Sequence, residues 1–116
     1  MNLLLVIRTA PYAFQHLQTA TELAEAALDK GHRVRIFLTE DAVVAMNAEA
    51  KTGSEPNMTE ACRRLAQRGV EVQGCGACCQ FRGQKRAGIA EGFRVAGTAS
   101  LAKLVAEADR VVSFGY

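Results

Sequence analysis

Residues 3–7 (Leu3, Leu4, Leu5, Val6 and Ile7) form an unbroken apolar run, the pattern of a strand covered on both faces. A loop through Thr9, Ala10, Pro11 and Tyr12 follows. Leu17, Ala20, Ala24, Ala27 and Leu28 then recur at helical spacing, while Glu22, Glu25 and Asp29 fall on other faces. Gly31 predicts a left-handed stop to that helix. Residues 34–38 read as a second strand, and Thr39, Glu40 and Asp41 open a short helix through about Met46.

The polar stretch 51–56 holds Gly53 and Pro56 and predicts a loop. Asn57 with Glu60 three positions later resembles a capping box for a helix ending near Arg68, with Gly69 as its stop. Residues 70–72 predict a third strand and residues 93–96 a further short one. Thr98 or Ser100 is placed to cap a helix whose apolar face is Leu101, Leu104, Val105 and Ala108, and residues 111–114 close the chain as a strand. Strands alternating with helices predict a three-layer α/β/α fold with a mostly parallel sheet of four or five strands, a single domain over residues 1–116.

Composition adds bounds to this picture. A chain of 116 residues with 49% apolar and 22% charged residues is long enough to bury one core without staples. Its formal net charge of +2 and lack of Trp argue against nucleic acid as a partner. The first apolar run is too short to span a bilayer and has no basic segment or cleavage site beside it, so the expectation is a cytoplasmic protein with no membrane partner. In a reducing compartment, clustered cysteines point to catalysis or metal rather than to a disulfide framework.

Such a cluster exists. Three of the four cysteines, Cys75, Cys78 and Cys79, fall within five positions, directly after the third predicted strand. In open α/β sheets, ligands and chemistry gather outside the carboxyl ends of the strands. The loops after the first two strands should line the same edge, with Arg8, Thr9 and Tyr12 from one and Thr39, Glu40 and Asp41 from the other. Gly76 lets the backbone approach a partner closely. A helix beginning near Ala77 would stabilise a thiolate in its first turn, and Arg82, Lys85 and Arg86 add positive potential.

Cys75 and Cys78 make a C-x-x-C, a spacing shared by oxidoreductases, zinc sites and iron–sulfur proteins. Gly83, Gly88 and Gly92 interrupt the downstream segment, unlike the long helix of a thioredoxin. A closed zinc site wants four ligands, and a single cluster without a nearby His does not supply them. No G-x-G-x-x-G or Walker sequence is present, so neither metal nor cofactor is expected. Cys62 shares a helical face with Leu65 and Ala66 and reads as core, as does Cys79. Arg82 reads equally as an anion ligand or as an ion pair steadying its loop.

The register Cys75, Cys78, Arg82, Gly83 after a Val-x-Val strand resembles the DsrE/DsrF-like family, with its TusD-type sulfur-relay members. Pro11-Tyr12 after the first strand, Lys30-Gly31-His32 after the first helix, and the run from Ser100 to Val112 are similar to that family as well, so the resemblance extends over the whole chain. It implies a homo-oligomer, trimer or hexamer, in which a cysteine just after this strand carries sulfur as a persulfide. Cys75 matches that position, and Cys78 matches the second cysteine of C-x-x-C members. Cys79 has no counterpart. Sulfur donor and acceptor proteins are the implied partners, Cys75 and Cys78 the catalytic pair, and Arg82, Gly76 and Tyr12 the supporting residues. Two other readings stand beside this one: a non-catalytic oligomeric subunit, and a thiol/disulfide redox protein using Cys75 and Cys78.

Overall fold

The computed structural model describes residues 1–115 and contains one five-stranded sheet, parallel throughout. Strand β1 (Asn2–Ile7) leads through α1 (His16–Asp29) to β2 (Arg33–Leu38). A 3-10 helix (Glu40–Met46) and α2 (Met58–Gln67) connect β2 to β3 (Glu71–Cys75). The short α3 (Gly76–Phe81) and a 3-10 turn (Arg86–Gly88) lead to β4 (Phe93–Ala96), and α4 (Thr98–Glu107) to β5 (Arg110–Phe114).

The strands lie in the order β4-β3-β2-β1-β5. The chain walks outward from β1 to β4 and then returns to the far side of β1. Right-handed crossovers therefore put α4 on the sheet face opposite α1 and α2. Alternation along each strand sorts the side chains accordingly. Leu5, Ile7, Ile36, Leu38 and Val72 join Leu17, Ala20, Ala24 and Leu65 in the larger core, and Leu4 and Phe37 meet Leu104 on the other face. Each fully buried Leu or Ile contributes roughly 1.5–3 kcal/mol. Packing, rather than helix propensity, thus holds the shorter elements in place.

The turns behave as their residues require. Gly31 (φ 87°) and Gly69 (φ 94°) follow α1 and α2 in left-handed conformation, and the Asn57 side chain accepts the Glu60 N–H at 3.1 Å. Two expectations change. The third strand runs on past Val72 to Cys75, because Leu38 pairs with Gly74 and Ala96 with Cys75. Neither Thr98 nor Ser100 caps α4: Gly97 is the cap residue, and the Ser100 hydroxyl donates instead to the buried Gln73 side chain at 2.8 Å.

Gly74 fixes a detail that matters for the site. A Cβ there would lie 2.0 Å from the Met46 Sδ. The missing side chain lets Met46, at the end of the 3-10 helix, cross directly over β3. That contact sets the corner after β2 beside the end of β3.

Candidate active site

Cys75 is both the last residue of β3 and the residue that caps α3, where its sulfur accepts the Cys78 N–H at 3.4 Å. The helix is only six residues long. It ends because Gly83 turns left-handed (φ 69°), with the Gln84 N–H donating to the Cys79 carbonyl at 2.9 Å. Three-residue spacing from a cap stacks Cys78 directly over Cys75, whose sulfur takes the Cys78 N–H. The cysteine segment therefore folds into one pair and one separate thiol.

The corner after β2 meets this pair. Glu40 donates its backbone N–H to the Cys78 sulfur at 3.2 Å, and the Thr39 hydroxyl lies 3.6 Å from the same sulfur. Glu40 adopts φ 54°, a left-handed conformation that L-residues other than glycine rarely take. Its carboxylate is held by the Arg8 guanidinium at 2.6 Å. Arg82 closes the other side: it donates twice to one Asp41 carboxylate oxygen, at 2.6 and 3.0 Å, and once to the Cys78 carbonyl at 3.0 Å. Of the two roles open to Arg82, the structure displays the ion pair that steadies the loop.

These surroundings separate the thiols chemically. Burial pushes the Cys75 thiol up, and donating its S–H to Cys78 adds to the push. Burial also acts upward on Cys78, but hydrogen bonds from Cys75, Thr39 and the Glu40 N–H, with the Arg82 charge, outweigh it and leave that thiol below its ordinary value. The donors from the corner after β2 converge on Cys78, in the first turn of α3. Cys79 is raised by burial and by its two sulfur neighbours, and Cys62, enclosed in α2, is pushed up to about 12.

The other expected residues scatter. A Cβ on Gly76 would sit 3.1 Å from the Val95 Cγ1, so a glycine there suits the close approach of α3 to β4. Tyr12 is not brought to the thiols. It too is left-handed (φ 74°), its hydroxyl accepts the Met58 N–H at 3.0 Å, and it lines an open cavity of about 480 Å³ with Phe14, Lys51 and Pro56. His16 pairs with the buried Thr9 hydroxyl at 2.7 Å and stacks on Phe14. Thr39 and Glu40 are the residues whose role sequence reasoning missed. Their position after β2 was a signal, but nothing in a Glu marks a left-handed backbone. Among the described residues, no group of three or more His, Cys, Asp or Glu could hold a metal ion, and no helix is long and apolar enough to cross a membrane.

The chain as a whole has clear relatives. The DsrE/DsrF-like family profile matches residues 1–114. The chain belongs to the DsrE/DsrF-like family. It is 34% identical to an uncharacterised protein of Methanocaldococcus jannaschii, over 98% of this chain and all of that one. A protein of Vibrio vulnificus named as a sulfurtransferase TusD homologue is 34% identical, over 95% of each chain. The crystal structure of the YchN protein of Escherichia coli superposes with a TM-score of 0.91 at 28% identity, covering 98% of this chain and 99% of that one.

Proposed function

We propose that this family member is a cytoplasmic sulfur-relay, sulfurtransferase-like protein that carries sulfane sulfur as a persulfide on Cys75. The observation that carries the reading is the Cys75 sulfur at the end of β3, capping α3 by accepting the Cys78 N–H, in a chain whose relatives include proteins named TusD sulfurtransferases. Cys75 attacks the outer sulfur of a donor persulfide, its proton passes to the Cys78 sulfur, and the donor leaves as a thiolate. An acceptor thiolate then takes the outer sulfur from Cys75 by the same displacement.

The partners of this cycle are a sulfur donor and a sulfur acceptor protein. Phe81, 81% exposed one turn after the thiols and followed by exposed Arg86, supports docking of a partner there. Val111 and Val112, exposed on the edge strand β5, support a homo-oligomer, trimer or hexamer. A second reading, a thiol/disulfide redox protein, is favoured by the same placing of Cys78 over the Cys75 sulfur.

Anaerobic incubation of the reduced protein with a sulfane-sulfur donor tests the first reading. A gain of about 32 Da on the Cys75 peptide is expected, and it should vanish in Cys75→Ser. Equal loading of that variant would refute the carrier assignment. A Cys75–Cys78 disulfide formed by simple oxidants, with no sulfur uptake from any donor, would favour the redox reading.

A further inference from the structure

Two donors aim at one sulfur. The Glu40 N–H can only donate, and the Thr39 hydroxyl is free to rotate its hydrogen toward Cys78. A neutral thiol has little use for two donors, whereas a thiolate accepts both. The residue that gives this N–H has a left-handed backbone, an unfavourable conformation for Glu, and its carboxylate is paired with Arg8. Strain at that corner therefore goes with a specific contact.

The charges around Cys78 agree. Arg82 lies at the end of its own helix, and Asp41, the acid nearest Arg82, is tied to it. Glu40 is paired with Arg8, and the remaining neighbours are the thiols of Cys75 and Cys79.

We propose that Thr39 and Glu40 are positioning residues that hold Cys78 as the anionic sulfur of the pair, so that Cys78 expels the outer sulfur of a Cys75 persulfide as sulfide. This rests on the carrier reading of Cys75. Cys78 first gives to solvent the proton it took from Cys75 during loading, and its thiolate then attacks the inner sulfur of Cys75–S–SH. A Cys75–Cys78 bond forms, the inner-to-outer sulfur bond breaks, and hydrosulfide leaves with the electron pair. The sulfane sulfur is reduced and the two cysteines are oxidised to a disulfide, so no outside reductant enters this step. An external dithiol then resets the pair. A bound acceptor competes with this discharge, which makes the protein a relay when a partner is present and a sulfide-releasing device when none is.

The test uses the full chain, reduced and then treated with inorganic polysulfide. After rapid desalting, the parent is expected to release about one equivalent of sulfide per loaded chain and to gain the Cys75–Cys78 disulfide. Cys78→Ser should keep its persulfide on Cys75. Thr39→Val should move the pH midpoint of sulfide release upward by about one unit, and Thr39→Ser should restore it. Persistence of the Cys75 persulfide in the parent, as long as in Cys78→Ser, would overturn the proposal. Iodoacetamide labelling of the unloaded protein, resolved by peptide mass spectrometry, reads the cradle separately. Cys78 should label at lower pH than Cys75, and Thr39→Val should erase that difference. If Cys75 never loads but this labelling order holds, the carrier reading fails and the cradle stands; if the order is absent or indifferent to Thr39, the cradle fails.

Discussion

Cys62 and Cys78 are the same chemical group in two regions that treat it oppositely. Cys62 lies within α2, fully buried against the sheet, and burial raises its thiol to about 12. Cys78 is also partly withdrawn from water, yet its thiol is lowered, because the corner after β2 turns donors onto it. Burial alone silences a thiol. Burial combined with directed hydrogen bonds activates one. Activation in this chain therefore draws on the corner after β2 as well as on the neighbouring Cys75.

Displacing that corner should have the largest effect. Gly74→Val places a side chain where Met46 crosses β3, a position 2.0 Å from the Met46 sulfur. Overpacking of this kind costs about 1–3 kcal/mol, read as a lower urea midpoint. The displaced 3-10 helix should also take the Glu40 N–H away from Cys78. Iodoacetamide labelling of Cys78 in the folded variant should then need the alkaline pH of an ordinary thiol. Normal low-pH labelling in Gly74→Val would detach the cradle from this packing.

The Cys62 side of the comparison predicts a pH dependence of stability. Below the ordinary thiol pKa of about 8.5, Cys62 is protonated in the folded and the unfolded chain alike, and it adds no pH dependence. Above that value the unfolded chain releases the proton while the folded chain keeps it up to about 12. Rising pH therefore favours unfolding, with a slope of about 1.4 kcal/mol per pH unit from this one group. Denaturant titrations between pH 9 and about 11 should show a shallower loss in Cys62→Ala than in the parent. The variant should also cost about 1 kcal/mol at neutral pH and leave Cys78 labelling unchanged.

Much of this was legible in the sequence, and the illegible parts share a cause. The apolar runs of β1 and β2 announce strands because both faces are covered. The Cys75 and Cys78 spacing announces a pair because a helix cap brings the capping residue and the third one after it together. Residues 73–75, in contrast, look like loop: Gln73, Gly74 and Cys75 carry no strand pattern, and only pairing with Leu38 and Ala96 makes them β3. One of the groups that lower Cys78 is a backbone N–H, which every residue but proline owns, and it belongs to a left-handed Glu40 that no glycine advertises. Tyr12 shows the same blindness, since its left-handed turn sends the ring toward Met58.

A smaller effect is expected where the electrostatics are exposed. Arg82→Met removes the Asp41 ion pair and the bond to the Cys78 carbonyl, but Asp41 is half exposed. Such pairs contribute at most about 1 kcal/mol. The Cys78 labelling midpoint should rise by roughly 0.3–0.5 pH unit, and added salt should shift the parent the same way. A shift as large as that of Thr39→Val would mean that charge, rather than directed hydrogen bonds, governs the pair.

The smallest effect is the sharpest test of what Glu40 does. Glu40→Gly deletes the carboxylate that Arg8 holds at 2.6 Å, with both partners about two-fifths exposed, a loss of at most about 1 kcal/mol. Glycine accepts φ 54° without the steric cost that glutamate bears, a relief of about 1–2 kcal/mol, but it also leaves the unfolded chain more freedom, which works against folding. The three contributions nearly cancel, so thermal stability should change little. The N–H that points at Cys78 survives the substitution, and with it the low-pH labelling of that thiol. Glu40→Val keeps an N–H as well but puts a β-branched residue where the left-handed backbone is least tolerated. It should pull the corner out of register and raise the Cys78 midpoint. Equal midpoints in the glycine and valine variants would mean that the turn at Glu40 is not what aims the donor. A raised midpoint in Glu40→Gly alone would place the effect in the carboxylate and its Arg8 partner.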